Sequence, residues 1–167
     1  MKKERVFIAF LLVLLTASFI PIHFLQIEEL RKGRVLFIHA VSPGDRFSIG
    51  YKHSVELCSV WDRYRIDETF RIVLYETTFP SCNTGLPVAT SENETFHHDG
   101  DSFRISNMNR IIPSISLWVN EEYDNTIVIG TEVSKLYSLA GNTLLGVEVK
   151  RAIVLRFLFM KARIYMK

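Results

Sequence analysis

The sequence predicts a mainly β domain, an antiparallel sandwich or a barrel-like sheet, preceded by one N-terminal transmembrane helix. Three observations lead there. Val6 to Leu25, VFIAFLLVLLTASFIPIHFL, is a run of 20 residues without a formal charge. From Val35 onward, short stretches rich in Val, Ile, Phe, Tyr and Thr alternate with turn residues, and helical spacing is weak. Those turns recur closely enough to mark many short strands.

Composition narrows the class. The 167 residues suit one domain plus an appendage, and at 48% hydrophobic, 12% aromatic and 23% charged they do not describe a disordered chain. The formal net charge is +2, and no basic stripe interleaved with aromatics is present, so nucleic acid is set aside as a partner.

The elements follow in order. Residues 1–25 are an N-terminal membrane anchor or a signal sequence. About 20 apolar residues are needed to cross a bilayer core of roughly 30 Å. A cleaved signal would use Val6–Leu15 with the small residues Thr16-Ala17-Ser18 as its cleavage site. The apolar run continues past those small residues, which favours the uncleaved anchor; secretion after cleavage is the alternative. Residues 26–34 (QIEELRKGR) read as a charged linker, and residues 35–150 as a β domain outside the cytoplasm.

The expected strands are Val35–Val41, Phe47–Val55, Val60–Ile66, Phe70–Phe79, Ser102–Ile105, Ile115–Val119, Thr126–Ile129, Lys135–Leu139 and Leu144–Val149. Residues 151–167 form a basic apolar tail that charges make a poor membrane span. A surface helix and one or two final strands are both open for it.

The stretch YKHSVELCSVWDRY, Tyr51 to Tyr64, carries the candidate site. One face of its first strand is Phe47, Ile49, Tyr51, His53 and Val55; one face of its second is Val60, Asp62, Tyr64 and Ile66. Each is apolar apart from a single titratable residue. A four-residue loop, Glu56 to Ser59, would oppose His53 to Asp62 and Tyr51 to Tyr64, within reach of a hydrogen bond. A three-residue turn after Ile66 would bring Glu76 onto the same face, diagonal to Asp62. Groups of this kind, when buried, must satisfy one another or a ligand. A closed fastener and an open pocket with a His53/Asp62/Glu76 rim are both open readings. The rim can orient a small polar ligand; a divalent metal there is the weaker version, because no HxH or HExxH spacing supports it.

Cys58 and Cys82 fall in loops at the same end of this sheet. A disulfide between them, 24 residues apart, would contribute roughly 3 kcal/mol outside the cytoplasm; two buried free thiols are the alternative. No catalytic residue is assigned. His53 and Ser54 are strand neighbours that point to opposite faces, so they form no dyad. HHDGD, His97 to Asp101, reads as a solvated hairpin turn rather than a metal site, and GTEVSK at Gly130 is no phosphate loop.

FSIGYKHSVELCSVWDRY, then LYETTFPSCNTGLP and ISNMNRIIPSISLWV, together resemble a family of domains of unknown function found in bacteria and archaea. Genes of that family often lie beside those of TAXI-type TRAP transporters. The resemblance spans roughly Val35 to Val149 and rests on Tyr51, His53, Ser54, Val55, Asp62, Tyr64, Glu76 and the loop Gly85-Leu86-Pro87, with Arg110 a weaker match. Asp62 stands where the family has Glu, Cys82-Asn83-Thr84 replaces an aromatic–Gly–Ala run, and Cys58 is atypical. The resemblance implies a setting, a transporter of small organic acids or amino acids, and no activity.

The expectation is therefore a membrane-tethered accessory domain that docks on a TRAP transporter permease or solute receptor. It would bind a small organic acid at His53, Asp62, Glu76, Tyr51 and Tyr64, with Arg110 as counter-charge. A metal-dependent or carboxylate-based hydrolase using the same rim, and a purely structural interaction module, are the alternatives. Whether the chain is an enzyme is left open, leaning against.

Overall fold

The computed structural model describes residues 2–53, 58–80, 91 and 93–166. Helix α1 (Lys2–Ser18) leads into strands β1 (Pro21–Glu29), β2 (Arg34–Ala40), β3 (Arg46–Lys52), β4 (Ser59–Ile66) and β5 (Ile72–Pro80). Then come β6 (Thr95–Asp99), β7 (Ser102–Ser106), β8 (Arg110–Ile112), β9 (Ile115–Val119), β10 (Thr126–Ile129) and β11 (Glu132–Lys135). A short helix α2 (Leu136–Ala140), the long strand β12 (Thr143–Ile153) and helix α3 (Val154–Tyr165) complete the chain.

The strands form two antiparallel sheets rather than a closed barrel. Sheet A runs β2-β1-β12-β9; sheet B runs β11-β10-β3-β4-β5-β7-β6, with β8 also on β5. The main core lies between them, where Leu25, Ile27, Leu145 and Val147 of sheet A meet Phe47, Ile49, Tyr64 and Ile66 of sheet B. A third layer, α3, covers the far face of sheet A: Phe157 packs on Phe24 and Ile38, its ring 5.4 Å from that of Phe24.

The N-terminal run does not stay helical. Pro21 has no amide hydrogen and its ring disfavours a helix through the residues before it, so α1 stops at Ser18 and residues 21–25 enter β1, which pairs with both β12 and β2. The α-helical part of the expected span, Val6 to Ser18, is about 20 Å long at 1.5 Å per residue. Among the described residues no helix is long and apolar enough to cross a membrane.

The expected linker 26–34 is likewise corrected. Gln26 and Glu29 are buried in β1, and Glu29, 1% exposed, is held by Lys32 at 2.8 Å and Arg34 at 3.1 Å. Earlier in the same strand, Phe24 packs toward α3 and Leu25 toward sheet B, which is why the segment is apolar on both sides. Lys135–Leu139 was expected as strand; from Leu136 the chain turns into α2, which drops Leu136 into the core. The tail resolves as a helix. β9 and β10 begin and end where expected.

Candidate functional site

Strands β3 and β4 keep the expected faces but pair in a different register. Ile49 opposes Asp62, Tyr51 opposes Val60, and Phe47 opposes Tyr64, a slide of four residues along β4 from the expected pairing. An even slide leaves the same side chains pointing inward. The His53 amide donates to the Cys58 carbonyl at 2.8 Å, and Ser59 pairs with Lys52, so Cys58 and Ser59 belong to the ladder rather than to the expected Glu56–Ser59 loop. His53 therefore stands four residues along the chain from the partner of Asp62 and meets no carboxylate among the described residues.

A β-bulge decides the fate of Glu76. Between β4 and β5 the pairing runs Ile66/Ile72, Arg65/Val73 and Tyr64/Leu74, then skips Tyr75 to continue Arg63/Glu76 and Asp62/Thr77. One extra residue on β5 inverts its alternation from that point. Glu76 consequently faces outward, ion-paired to Arg63 at 2.7 Å, with Arg104 at 3.9 Å. Thr77 takes the inward position that Glu76 was expected to hold. The His53/Asp62/Glu76 trio does not assemble, and among the described residues no group of three or more His, Cys, Asp or Glu can hold a metal ion.

What does assemble is a cluster on Asp62. The Thr77 hydroxyl donates to Oδ1 at 2.8 Å, and the Tyr51 and Tyr64 hydroxyls lie 3.4 Å from Oδ2. Burial raises the Asp62 pKa, with the three hydroxyls acting the other way. Burial and the Asp62 charge hold both tyrosines well above the ordinary phenol range. No cation pairs with Asp62 among the described residues, which is why desolvation prevails.

The cluster opens onto a cavity of about 330 Å³ between the two sheets. Ile49, Tyr51, Lys52 and His53 line it from β3 and its end, and Asp62 and Tyr64 from β4. Edge strand β9 supplies Ile115 to Trp118, and the approach to β10 supplies Tyr123 and Asn125. The Lys52 amide, bonded to the Tyr123 carbonyl at 2.8 Å, holds that approach against β3. Two of the lining residues each bury a polar atom that has no partner among the described residues: His53 Nδ1 and Asn125 Oδ1. Asn125 is only 3% exposed. A buried polar atom without a partner costs free energy, roughly 1–3 kcal/mol each, and here the two residues that carry one line the same cavity as a buried carboxyl group.

The remaining expected residues lie elsewhere. Arg110, expected as a counter-charge, is on β8 and gives both guanidinium bonds to Glu94, each 2.7 Å. The loop Gly85-Leu86-Pro87, Ser54, Val55 and Cys82 lie outside the described residues. Cys58 is half-buried just before β4 and is not a free thiol. HHDGD forms the β6–β7 hairpin, with Gly100 at φ 64° in its turn.

Thr77, Tyr123, Asn125 and the β9 side chains were not foreseen as site residues. A bulge placed Thr77, and tertiary packing placed the rest, so no local pattern marks them.

No curated protein and no solved structure matches the chain. The family of a domain of unknown function, DUF1850, matches residues 47–136, which span β3 to the start of α2 and include every cavity-lining residue. That is more than half of the chain, and the chain belongs to the DUF1850 family.

Proposed function

We propose that this chain is a membrane-tethered extracytoplasmic accessory domain of a TAXI-type TRAP transporter, and that it holds a small organic acid in the cavity beside Asp62. The observation that carries the ligand reading is that two cavity-lining residues, His53 and Asn125, each bury a polar atom, Nδ1 and Oδ1, with no partner among the described residues. At about 330 Å³ the cavity is at the small end of ligand sites. Burial favours the neutral form of Asp62, which lowers the cost of admitting a second carboxyl group. His53 offers a ring nitrogen to that group, and Ile49, Leu117 and Trp118 offer an apolar wall.

The tether reading is supported by α1. Large apolar side chains of this helix are exposed, Val6 at 69% and Phe10 at 57% among them. Export also suits a Cys58–Cys82 disulfide. The transporter setting is supported by the motif resemblance around Tyr51–Tyr64 alone.

Native mass spectrometry of the full chain released from detergent tests the ligand. An adduct present in the wild type and lost in both His53→Ala and Asn125→Ala supports the reading. A bare wild-type chain after incubation with a panel of small mono- and dicarboxylates at millimolar concentration would sink it. Coexpression with a TAXI-type permease and its solute receptor, followed by copurification, tests the setting.

A further inference from the structure

We propose that the outward face of α3 seats on an anionic lipid bilayer, with its flanking cations against lipid phosphates. α3 is apolar on two opposite sides. Phe157, Met160 and Ile164 pack on sheet A. Turned away from the sheet, Leu155, Leu158, Phe159 and Met166 are all more than half exposed, Phe159 at 70%. One apolar stripe is enough to dock a helix on a sheet; the second stays exposed among the described residues.

Charge identifies what covers it. α3 contains no acidic residue, and Arg156, Lys161 and Arg163 enter no ion pair among the described residues. Beside the helix runs a groove of about 430 Å³ where Lys32, Arg34 and Arg163 surround the apolar wall of Val35, Met160 and Ile164. Lys32 and Arg34 share one carboxylate, Glu29, so cations are in excess there. Cations over an apolar floor match a phosphate headgroup above its acyl chain. A second copy seated on the same face would bring these unpaired cations together, which is unfavourable.

Position agrees with charge. The Val154 amide donates to the Ile20 carbonyl at 2.9 Å, so α3 starts where α1 ends, and the two helices touch. With α3 on the lipid, sheet A lies above it, and the Asp62 cavity sits beyond sheet A, away from the membrane.

The inference takes the membrane from the tether reading, and one experiment separates the two. Full-length chain is reconstituted into phosphatidylcholine vesicles, with or without phosphatidylglycerol, whose acyl chains are brominated. Fluorescence of Phe10→Trp reports α1 and that of Phe159→Trp reports α3, after subtracting the wild-type signal of Trp61 and Trp118. Quenching of Phe159→Trp, stronger with phosphatidylglycerol and reduced by Arg156→Gln/Arg163→Gln, is expected. Quenching of Phe10→Trp alone would keep the tether and overturn the inference. Quenching of Phe159→Trp alone would keep the inference and remove the tether, and no quenching of either would overturn both. Unquenched Phe159→Trp in a chain that sediments as a dimer would assign the face to a second copy instead, overturning the inference.

Discussion

The Thr77 hydroxyl donates to Asp62 Oδ1 at 2.8 Å across the β4–β5 pair, in the place the strand alternation reserved for Glu76. This bond is the shortest that the Asp62 carboxyl group accepts among the described residues, and it lies just past the bulge that reversed the alternation. Thr77→Val keeps the shape and removes the donor. The loss is expected to cost about 1 kcal/mol and to push the Asp62 pKa higher. Urea unfolding reads the first effect, and a move of the pH-dependent range of stability to higher pH reads the second.

Asp62 itself sets a pH dependence of known sign. Its pKa is raised in the fold by burial, so folding favours the neutral carboxyl. The stability tied to this group is complete below the ordinary aspartate range and is lost as pH rises through the raised value, with a limiting slope of about 1.4 kcal/mol per pH unit. Asp62→Asn holds the site neutral throughout. The variant should be more stable than the wild type at neutral pH, with a flatter profile of Tm against pH. An unchanged wild-type slope in the variant would assign the dependence to other groups.

Gly50 lies under the indole of its cross-strand partner Trp61, and a Cβ built on it would come within 2.7 Å of the ring. Gly50→Ala is expected to destabilise by about 1–3 kcal/mol through overpacking. Combining it with Trp61→Val removes the obstacle, so Trp61→Val should cost less in the Gly50→Ala background than in the wild type. Additive effects in denaturant unfolding would show that the contact does not limit the site.

Arg110 and Glu94 form a two-pronged pair at 2.7 Å in which the Glu94 side chain is almost covered. A double-mutant cycle on Arg110→Ala and Glu94→Ala should give a coupling of about 0.5–1 kcal/mol. The same Arg110→Ala variant should leave cavity occupancy unchanged, because the guanidinium is not part of the cavity wall. Loss of an adduct in that variant would restore Arg110 to the site.

Periodicity along single strands was enough to place His53, Asp62, Tyr51 and Tyr64 on one inward face, because side-chain alternation is a local property of extended backbone. It did not set which residues oppose one another. A register four residues away preserves every face, so the hydrophobic pattern alone cannot distinguish the two. The bulge at Tyr75 leaves no mark in the sequence, since Tyr75, Glu76 and Thr77 all suit a strand, and with it went the position of Glu76.

Residue order along the chain was enough for the β class, the apolar N-terminal run and the basic tail. Tertiary structure decided where the run divides. Pro21 ends the helix, and β12, an element more than 100 residues away, draws Ile22 to Glu29 into a strand. It also decided that the tail is a helix, since only the uncovered face of sheet A gives Phe157 somewhere to pack. The cavity belongs wholly to that second class: its walls come from β3, β4, β9 and the approach to β10, which meet only when two sheets close on each other. Local pattern reports which side of a strand is apolar; long-range packing decides what that side meets.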